Sequence, residues 1–330
     1  MERSLVDLIT NASLIKKLEQ SGYESIIDIK EVGVVQITEE LQLTTEEVEI
    51  ILKLVHGGHI VASQTAEARI KADNQKIGIS FSCKALDKLF DRYKGVPPSC
   101  ITELCGEPGS GKTQICMQLA VNAPECIYID TEGSLFPRRL RQMAETVMMN
   151  HNASSDNNNN KTDVDSILNK IHYFRVYDHV QLIALTRQLS NMLDELAQVK
   201  LLVLDSITYP LRTNINIKLR NNILSFLGQN LAQLASRHQV AVVVTNYVTE
   251  DRLNTAVTPE LGDEWGRRCA NRFFLYRTRE QRYARYYKSS LGTKDTTIRF
   301  KITVSEHFFI HAASLGKVCI FIRNIYRTMV

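Results

Sequence analysis

The stretch "GEPGSGKTQ", Gly106 to Gln114, matches the pattern G-x-x-x-x-G-K-[ST] at Gly106, Gly111, Lys112 and Thr113. Its flanks are those the pattern needs. The apolar run "CITEL" ahead of it reads as a buried strand and "KTQICMQLAV" behind it as a helix, so the glycines fall at a strand-to-helix turn. Glycine lets the backbone curl until successive N–H groups face one anion, and the helix N-terminus adds favourable potential. Gly106, Glu107, Pro108, Gly109, Ser110, Gly111, Lys112, Thr113 and Gln114 are therefore expected to cradle a nucleotide polyphosphate. Lys112 would reach the β- and γ-phosphates, and the Thr113 hydroxyl would ligate Mg²⁺.

Outward from this loop, short runs rich in β-branched residues ("CIYIDT", "IHYFRV", "LLVLD", "VAVVVTN") alternate with segments of helical periodicity ("LFPRRLRQMAETVMM", "HVQLIALTRQLSNMLDEL", "LRNNILSFLGQNLAQLASRH"). The alternation predicts an α/β fold, a mostly parallel sheet with helices on both faces and ligands at the C-terminal strand ends. "LLVLD" places Asp205 at such an end, where a carboxylate assists magnesium. "YIDTEG" places Glu132 where it can act as general base towards the γ-phosphate, and Asp130 reads as structural. The polar stretch "NHNASSDNNNNKTD" reads as a surface loop. After Arg272, three strand-like pieces at short spacing predict antiparallel strands at the sheet edge.

The chain has 330 residues, 44% hydrophobic and 23% charged, enough for a full core and more than one domain. Helical patterns such as "SLIKKLEQSG" and "TTEEVEIILKLV" predict a small all-α N-terminal domain over 1–56. Residues 57–78 read as a linker, and 79–330 as the ATPase core. No apolar run reaches the roughly 18 residues of a membrane helix, and "MERSLVDLIT" has no secretory pattern. The chain is expected to stay in cytosol or nucleus, with no membrane partner. Seven cysteines without C-x-x-C spacing read as reduced thiols, not as disulfides or a zinc site. Residues 1–75 carry 7 Lys/Arg against 13 Asp/Glu, whereas 250–330 carry 15 against 8, which suggests a polyanionic partner near the C-terminal half.

"GEPGSGKTQICMQLAV", "YIDTEGS", "LLVLDSI" and "VAVVVTN", with "ISFSCKALDKLF" ahead of them, resemble the eukaryotic branch of the RecA recombinase family over about residues 5–305. "KIHYFRVYDHVQLIAL", "ELGDEWGRR" and "YARYYKSS" are most similar to its C-type paralogue. The resemblance implies a RecA-like P-loop ATPase core, ATP and Mg²⁺ as cofactors, Glu132 and Lys112 as catalytic residues, and Arg139 as the arginine that stacks on adenine. Tyr247 stands where the family has a glutamine that contacts the γ-phosphate, and a phenol cannot replace a carboxamide's paired donor and acceptor. Thr65 stands where the family's neighbour-binding aromatic would align. Heteromeric pairing with other RecA-family paralogues is then expected in place of a long homofilament. Glu39, Glu40, Glu46 and Glu47 would repel DNA, so the N-terminal domain reads as a partner-contact module.

The loops after Asp205 and Tyr247 offer Arg212, Lys218, Arg220, Arg252, Arg267 and Arg268 as single-stranded DNA contacts, and Lys288 is a candidate for a neighbour's γ-phosphate. The implied function is that of a recombination and double-strand-break repair accessory with slow, DNA-dependent ATPase activity, which helps assemble or stabilise filaments of the strand-exchange recombinase. Three alternatives stand beside it: a non-hydrolysing ATP-binding scaffold, an autonomous strand-exchange enzyme, and a ring-forming ATPase on the same core.

Overall fold

The computed structural model describes residues 9, 11–23, 25, 28–29, 32–55, 65–90, 92–153, 163–212, 215–250, 257–279, 281–288 and 296–302. Arg252, most of the asparagine-rich stretch and the C-terminal tail lie outside the described residues. The chain divides into two compact units, residues 1–73 and 74–330.

In the first unit, α1 (Ala12–Gln20) starts where Asn11 Oδ1 accepts from Ser13 N and Leu14 N. α2 (Val34–Leu41) and α3 (Thr45–Val55) follow. Leu14, Leu18, Ile29, Ile37 and Ile51 are fully buried in one cluster. α3 opens with a reciprocal capping box: Thr44 N donates to Glu47 Oε2 (2.9 Å) and Glu47 N to Thr44 Oγ1 (3.3 Å). Lys17 Nζ donates to both Glu47 oxygens (3.0 and 2.9 Å), and Tyr23 OH donates to Glu40 (2.9 Å). Two of the four glutamates read as DNA-repelling are therefore engaged within the unit. Inside the stretch read as a linker, Ala66–Asn74 form α4, with no buried residue. The Thr65 hydroxyl at its start and the Glu67–Lys71 pair (2.7 Å) support it locally, which an apolar pattern would not reveal.

The second unit begins with α5 (Lys84–Leu89) and β1 (Ile101–Gly106). The core then runs α6 (Lys112–Asn122), β2 (Cys126–Asp130), α7 (Pro137–Ala153), α8 (Val164–Leu168), β3 (Ile171–Arg175), α9 (His179–Glu195) and β4 (Leu201–Asp205). α10 (Ile217–His238), β5 (Ala241–Asn246), β6 (Val248–Glu250), β7 (Val257–Pro259), α11 (Gly262–Arg268), β8 (Asn271–Thr278), β9 (Gln281–Lys288) and β10 (Thr297–Phe300) complete it. The strand order of the main sheet is β10-β9-β8-β1-β5-β4-β2-β3. β8 through β3 in that order are parallel, and β9 and β10 are antiparallel. The fold class expected from the sequence is the one observed.

Helices cover both faces, so the central strands are apolar on both sides. Tyr128, Val203, Val243 and Phe273 pack with Ile115, Leu119 and Met143 of α6 and α7, whereas Ile127, Leu202 and Val242 pack with Leu189, Leu227 and Leu231 of α9 and α10. Of the three edge pieces, β8 departs from the expectation. Its apolar residues bury it beside β1, in parallel, and only its other edge takes an antiparallel neighbour.

The stretch "LRTNINIKLR" is not wholly loop: Asn216 Oδ1 accepts from Leu219 N and starts α10, which puts Lys218 and Arg220 in its first turn. The segment after Tyr247 contains the two-stranded β6–β7 ribbon and α11. Thr249 pairs with Thr258, and Val248 and Val257 face Pro259 and Glu250, an arrangement hidden among charged neighbours in the sequence.

Candidate nucleotide-binding site

β1, β2, β4 and β5 end side by side, and the register sets Asp130 opposite Asp205 and Cys105 opposite Asn246. The loop from Gly106 to Gly111 leaves β1 here and enters α6. Gly109 (φ +76°) and Gly111 (φ +109°) hold the left-handed conformations that let it curl. The first N–H groups of α6 have no acceptor within the helix, as at any helix start, and so face outward as donors. Lys112 is 8% exposed. Its Nζ donates to the carbonyls of Gly106 (2.7 Å) and Glu107 (3.0 Å). Burial pulls its pKa down, against the attraction of Asp205 and Glu132.

Asp205 is buried at the tip of β4. Thr245 Oγ1 donates to its Oδ1 (2.6 Å) and Tyr128 OH to its Oδ2 (2.9 Å). The Thr113 hydroxyl also bonds to it, so the two side chains read as magnesium ligands are in contact. Burial raises the Asp205 pKa, and these hydroxyls oppose the rise.

The acids after β2 differ in what holds them. Asp130 accepts the N–H groups of Glu132, Gly133, Ser134 and Leu135 (2.7–3.2 Å) and the Tyr173 hydroxyl (3.2 Å), which fixes the turn. Glu132 lies within that turn, with its N–H on Asp130 and its side chain on other partners. Ser206 Oγ donates to its Oε1 and Tyr247 OH to its Oε2, both at 2.6 Å. Two cations lie over the Tyr247 ring, with Lys112 Nζ 4.5 Å and Arg212 Cζ 4.2 Å from its centroid. Burial raises the Tyr247 pKa, and the Glu132 bond adds to the effect.

Arg139 on α7 donates through Nε to Gln114 Oε1 (3.0 Å) and through Nη1 to Gln142 (3.2 Å), which brings it to the loop side of α6. Arg282, absent from the sequence-based site, donates through Nε to Gly109 O at 3.4 Å. Only the basic composition of β9 hinted at it.

The cationic candidates are differently placed. Arg212 pairs with Glu260 (2.8 Å), and Arg220 lies 3.7 Å from the same carboxylate. Lys218 and Arg267 are exposed. Arg268 is exposed and donates to Ser225 (3.3 Å). Lys288 Nζ donates to the carbonyls of Gly266 (3.0 Å) and Cys269 (2.7 Å), so within this chain it caps the C-terminal end of α11.

Sequence reasoning missed a second polar centre under β1. Glu103, fully buried, accepts from Asn246 Nδ2 (2.7 Å), Trp265 Nε1 (3.0 Å) and Arg272 Nε. Burial works to depress the Arg272 pKa, but the attraction of Glu103, its hydrogen bond and the nearby thiols together raise it.

A phosphate-binding loop between β1 and α6, with carboxylates beyond β2 and at the tip of β4 of a parallel, helix-covered sheet, defines the RecA-like class of P-loop proteins. Residues 72–264 match the Rad51 family model. The chain is 31% identical over 336 residues to "DNA repair protein RAD51 homolog 3" of Cricetulus griseus, covering 92% of this chain and 91% of that one. It is 38% identical over 228 residues to the Dictyostelium discoideum protein of the same name, covering 63% and 59%. The chain belongs to the Rad51 family, and both relatives agree with the resemblance to its C-type paralogue. Membership carries nucleotide binding with a divalent metal, and the donor set fits: a cation inside the loop, and a hydroxyl and a carboxylate in contact beside it.

Proposed function

We propose that this chain is a Mg-ATP-dependent accessory of DNA recombination and repair, acting in the nucleus within a complex of RecA-family paralogues. It binds ATP at 106–114, with Arg139 on the adenine and Thr113 and Asp205 towards Mg²⁺, and hydrolyses it slowly with Glu132 as base. Its role is to help assemble or stabilise recombinase filaments on single-stranded DNA. The domain limits 1–56, 57–78 and 79–330 belong to this reading, with the N-terminal part as a partner contact.

The observation that carries it is convergence: Lys112, Thr113, Glu132 and Asp205 come from α6, β2's end and β4 to one place. The printed name of both relatives, a DNA repair protein, supports the process. When bound, Mg²⁺ would neutralise phosphate charge. Glu132 would orient the attacking water, and Lys112 would turn from the loop carbonyls to phosphate oxygens.

The test is capture of complexes from nuclear extract with ATP, beside a Lys112→Ala variant. Recovery of other RecA-like paralogues, reduced by the variant, is expected. Recovery of the protein alone, or as a homopolymer on DNA, would overturn this reading and call for a direct test of strand exchange.

One observation favours a second reading, the non-hydrolysing scaffold: both Glu132 oxygens are engaged by Ser206 and Tyr247. Turnover that disappears in Glu132→Gln with ATP binding intact excludes it.

A further inference from the structure

Tyr247 spans two groups that any triphosphate in a P-loop must bring together. Its ring faces Lys112 at 4.5 Å, and its hydroxyl donates to Glu132 at 2.6 Å. In P-loop chemistry the loop lysine reaches the β- and γ-phosphates, and the water-orienting carboxylate stands beyond the γ-phosphate. The third phosphate therefore belongs between lysine and carboxylate, the gap that the phenol bridges. A diphosphate needs only the loop N–H groups and the lysine, and can bind without parting Tyr247 from Glu132.

The phenol is also held by a second cation. Arg212 Cζ lies over the ring, 4.2 Å from its centroid, and Arg212 is itself held by Glu260 at 2.8 Å. The backbone closes the same ring, since Glu260 N donates to Tyr247 O at 2.9 Å. Lys112 already spends two of an ammonium's three donors on the carbonyls of Gly106 and Glu107. A third phosphate must therefore displace a cation–π contact and a hydrogen bond to a carboxylate at once. It would also place its own negative charge beside Glu132.

We infer that Tyr247 is a specificity-determining residue that disfavours the triphosphate relative to the diphosphate. The inference rests on the nucleotide-binding reading above and deepens it, because a site so arranged holds ATP less readily, relative to ADP, than its loop alone would dictate.

The test is calorimetric titration of the full chain in Mg²⁺ with ADP and with AMP-PNP, whose third phosphate is not cleaved, so that turnover plays no part. Tyr247→Ala is expected to raise the AMP-PNP preference over ADP about tenfold, the size of one partly buried cation–π contact or charge-assisted hydrogen bond. ADP affinity should stay within about twofold, which also reports an intact loop. Tyr247→Phe keeps the ring over Lys112 and should fall between the two. An unchanged ratio in Tyr247→Ala with ADP still bound overturns the inference and leaves the ATP reading standing. If Tyr247→Ala loses ADP as well, Tyr247→Phe decides, and a wild-type ratio there overturns it. Binding of neither nucleotide by wild type and both variants overturns the nucleotide reading and the inference with it.

Discussion

The buried centre under the phosphate loop makes the sharpest prediction about stability. Glu103 is 0% and Arg272 3% exposed, and they join β1 to β8. Glu103→Ala leaves the Arg272 guanidinium in the core without its counter-charge, and leaves Asn246 and Trp265 without their acceptor. An uncompensated charge of this kind costs about 3–5 kcal/mol. For a unit of some 250 residues, at about 2–4 °C per kcal/mol, that corresponds to a fall in Tm of about 10 °C. Arg272→Met is expected to cost less, because the carboxylate keeps two neutral donors.

The double variant Glu103→Leu/Arg272→Met should be much milder than the sum of the single changes, since it removes both charges and refills the volume. Thermal and denaturant unfolding of wild type, Glu103→Leu, Arg272→Met and the double variant closes the cycle. A Glu103→Ala loss below about 1 kcal/mol, or strict additivity in the double variant, would show that the pair is solvated and the reasoning wrong. An independent probe is Gly266, where an added Cβ would lie 2.2 Å from Arg272 Nη1. Gly266→Ala should therefore be destabilising through the same guanidinium.

Glu132→Gln should lower kcat by about 10²–10⁴ while the affinity for ATP is kept, measured by phosphate release beside a binding titration. Lys218→Ala should reduce the salt slope of single-stranded DNA binding by about 0.7, one phosphate's share, whereas Arg212→Ala, already paired with Glu260, should leave it unchanged. Fluorescence anisotropy at several salt concentrations reads both. Lys17 and then the Thr44 N–H hold the Glu47 carboxyl below its usual range. The stability this gives is present above the usual carboxylate range and is lost as pH falls through the depressed pKa. Glu47→Gln should therefore be less stable than wild type at pH 7, and the difference should close in acid, as thermal melts across pH would show.

The phosphate loop was legible because its chemistry is backbone chemistry, written in one contiguous stretch whose glycines and flanking runs fix strand, turn and helix together. Asp130, Glu132 and Asp205 were legible for a related reason: each sits in or just past an apolar run, and strand ends are where a parallel sheet collects its ligands. The contacts that qualify those residues were not. Tyr247 meets Glu132 across 115 positions and Arg272 meets Glu103 across 169, and no local periodicity encodes either. Helix starts were blurred where the cap was polar among polar neighbours, as at Asn216. α4 has no apolar stripe at all. The parallel placement of β8 follows from burial on both faces, which spacing alone does not distinguish from a hairpin partner.

What separates the three strand-end acids is how fully each is already satisfied. A carboxylate offers about four acceptor sites. Asp130 fills its own with four N–H groups, none of which can leave without undoing the turn, and a Tyr173 hydroxyl. It has no capacity left for a ligand. Asp205 is held by hydroxyls of Thr113, Thr245 and Tyr128, which can rotate to donate elsewhere when a cation arrives. Glu132 has one donor on each oxygen and keeps acceptor capacity for a water. Meanwhile burial disfavours the charge on both Lys112 and Asp205. A bound polyphosphate with its cation would supply each with an opposite charge and remove that penalty. Part of the binding free energy is then returned as stability of the folded core, and a partner that recognises the occupied arrangement gains from it by the same linkage. On the proposed reading, nucleotide acts on assembly without hydrolysis, through the ATP-to-ADP preference proposed for Tyr247.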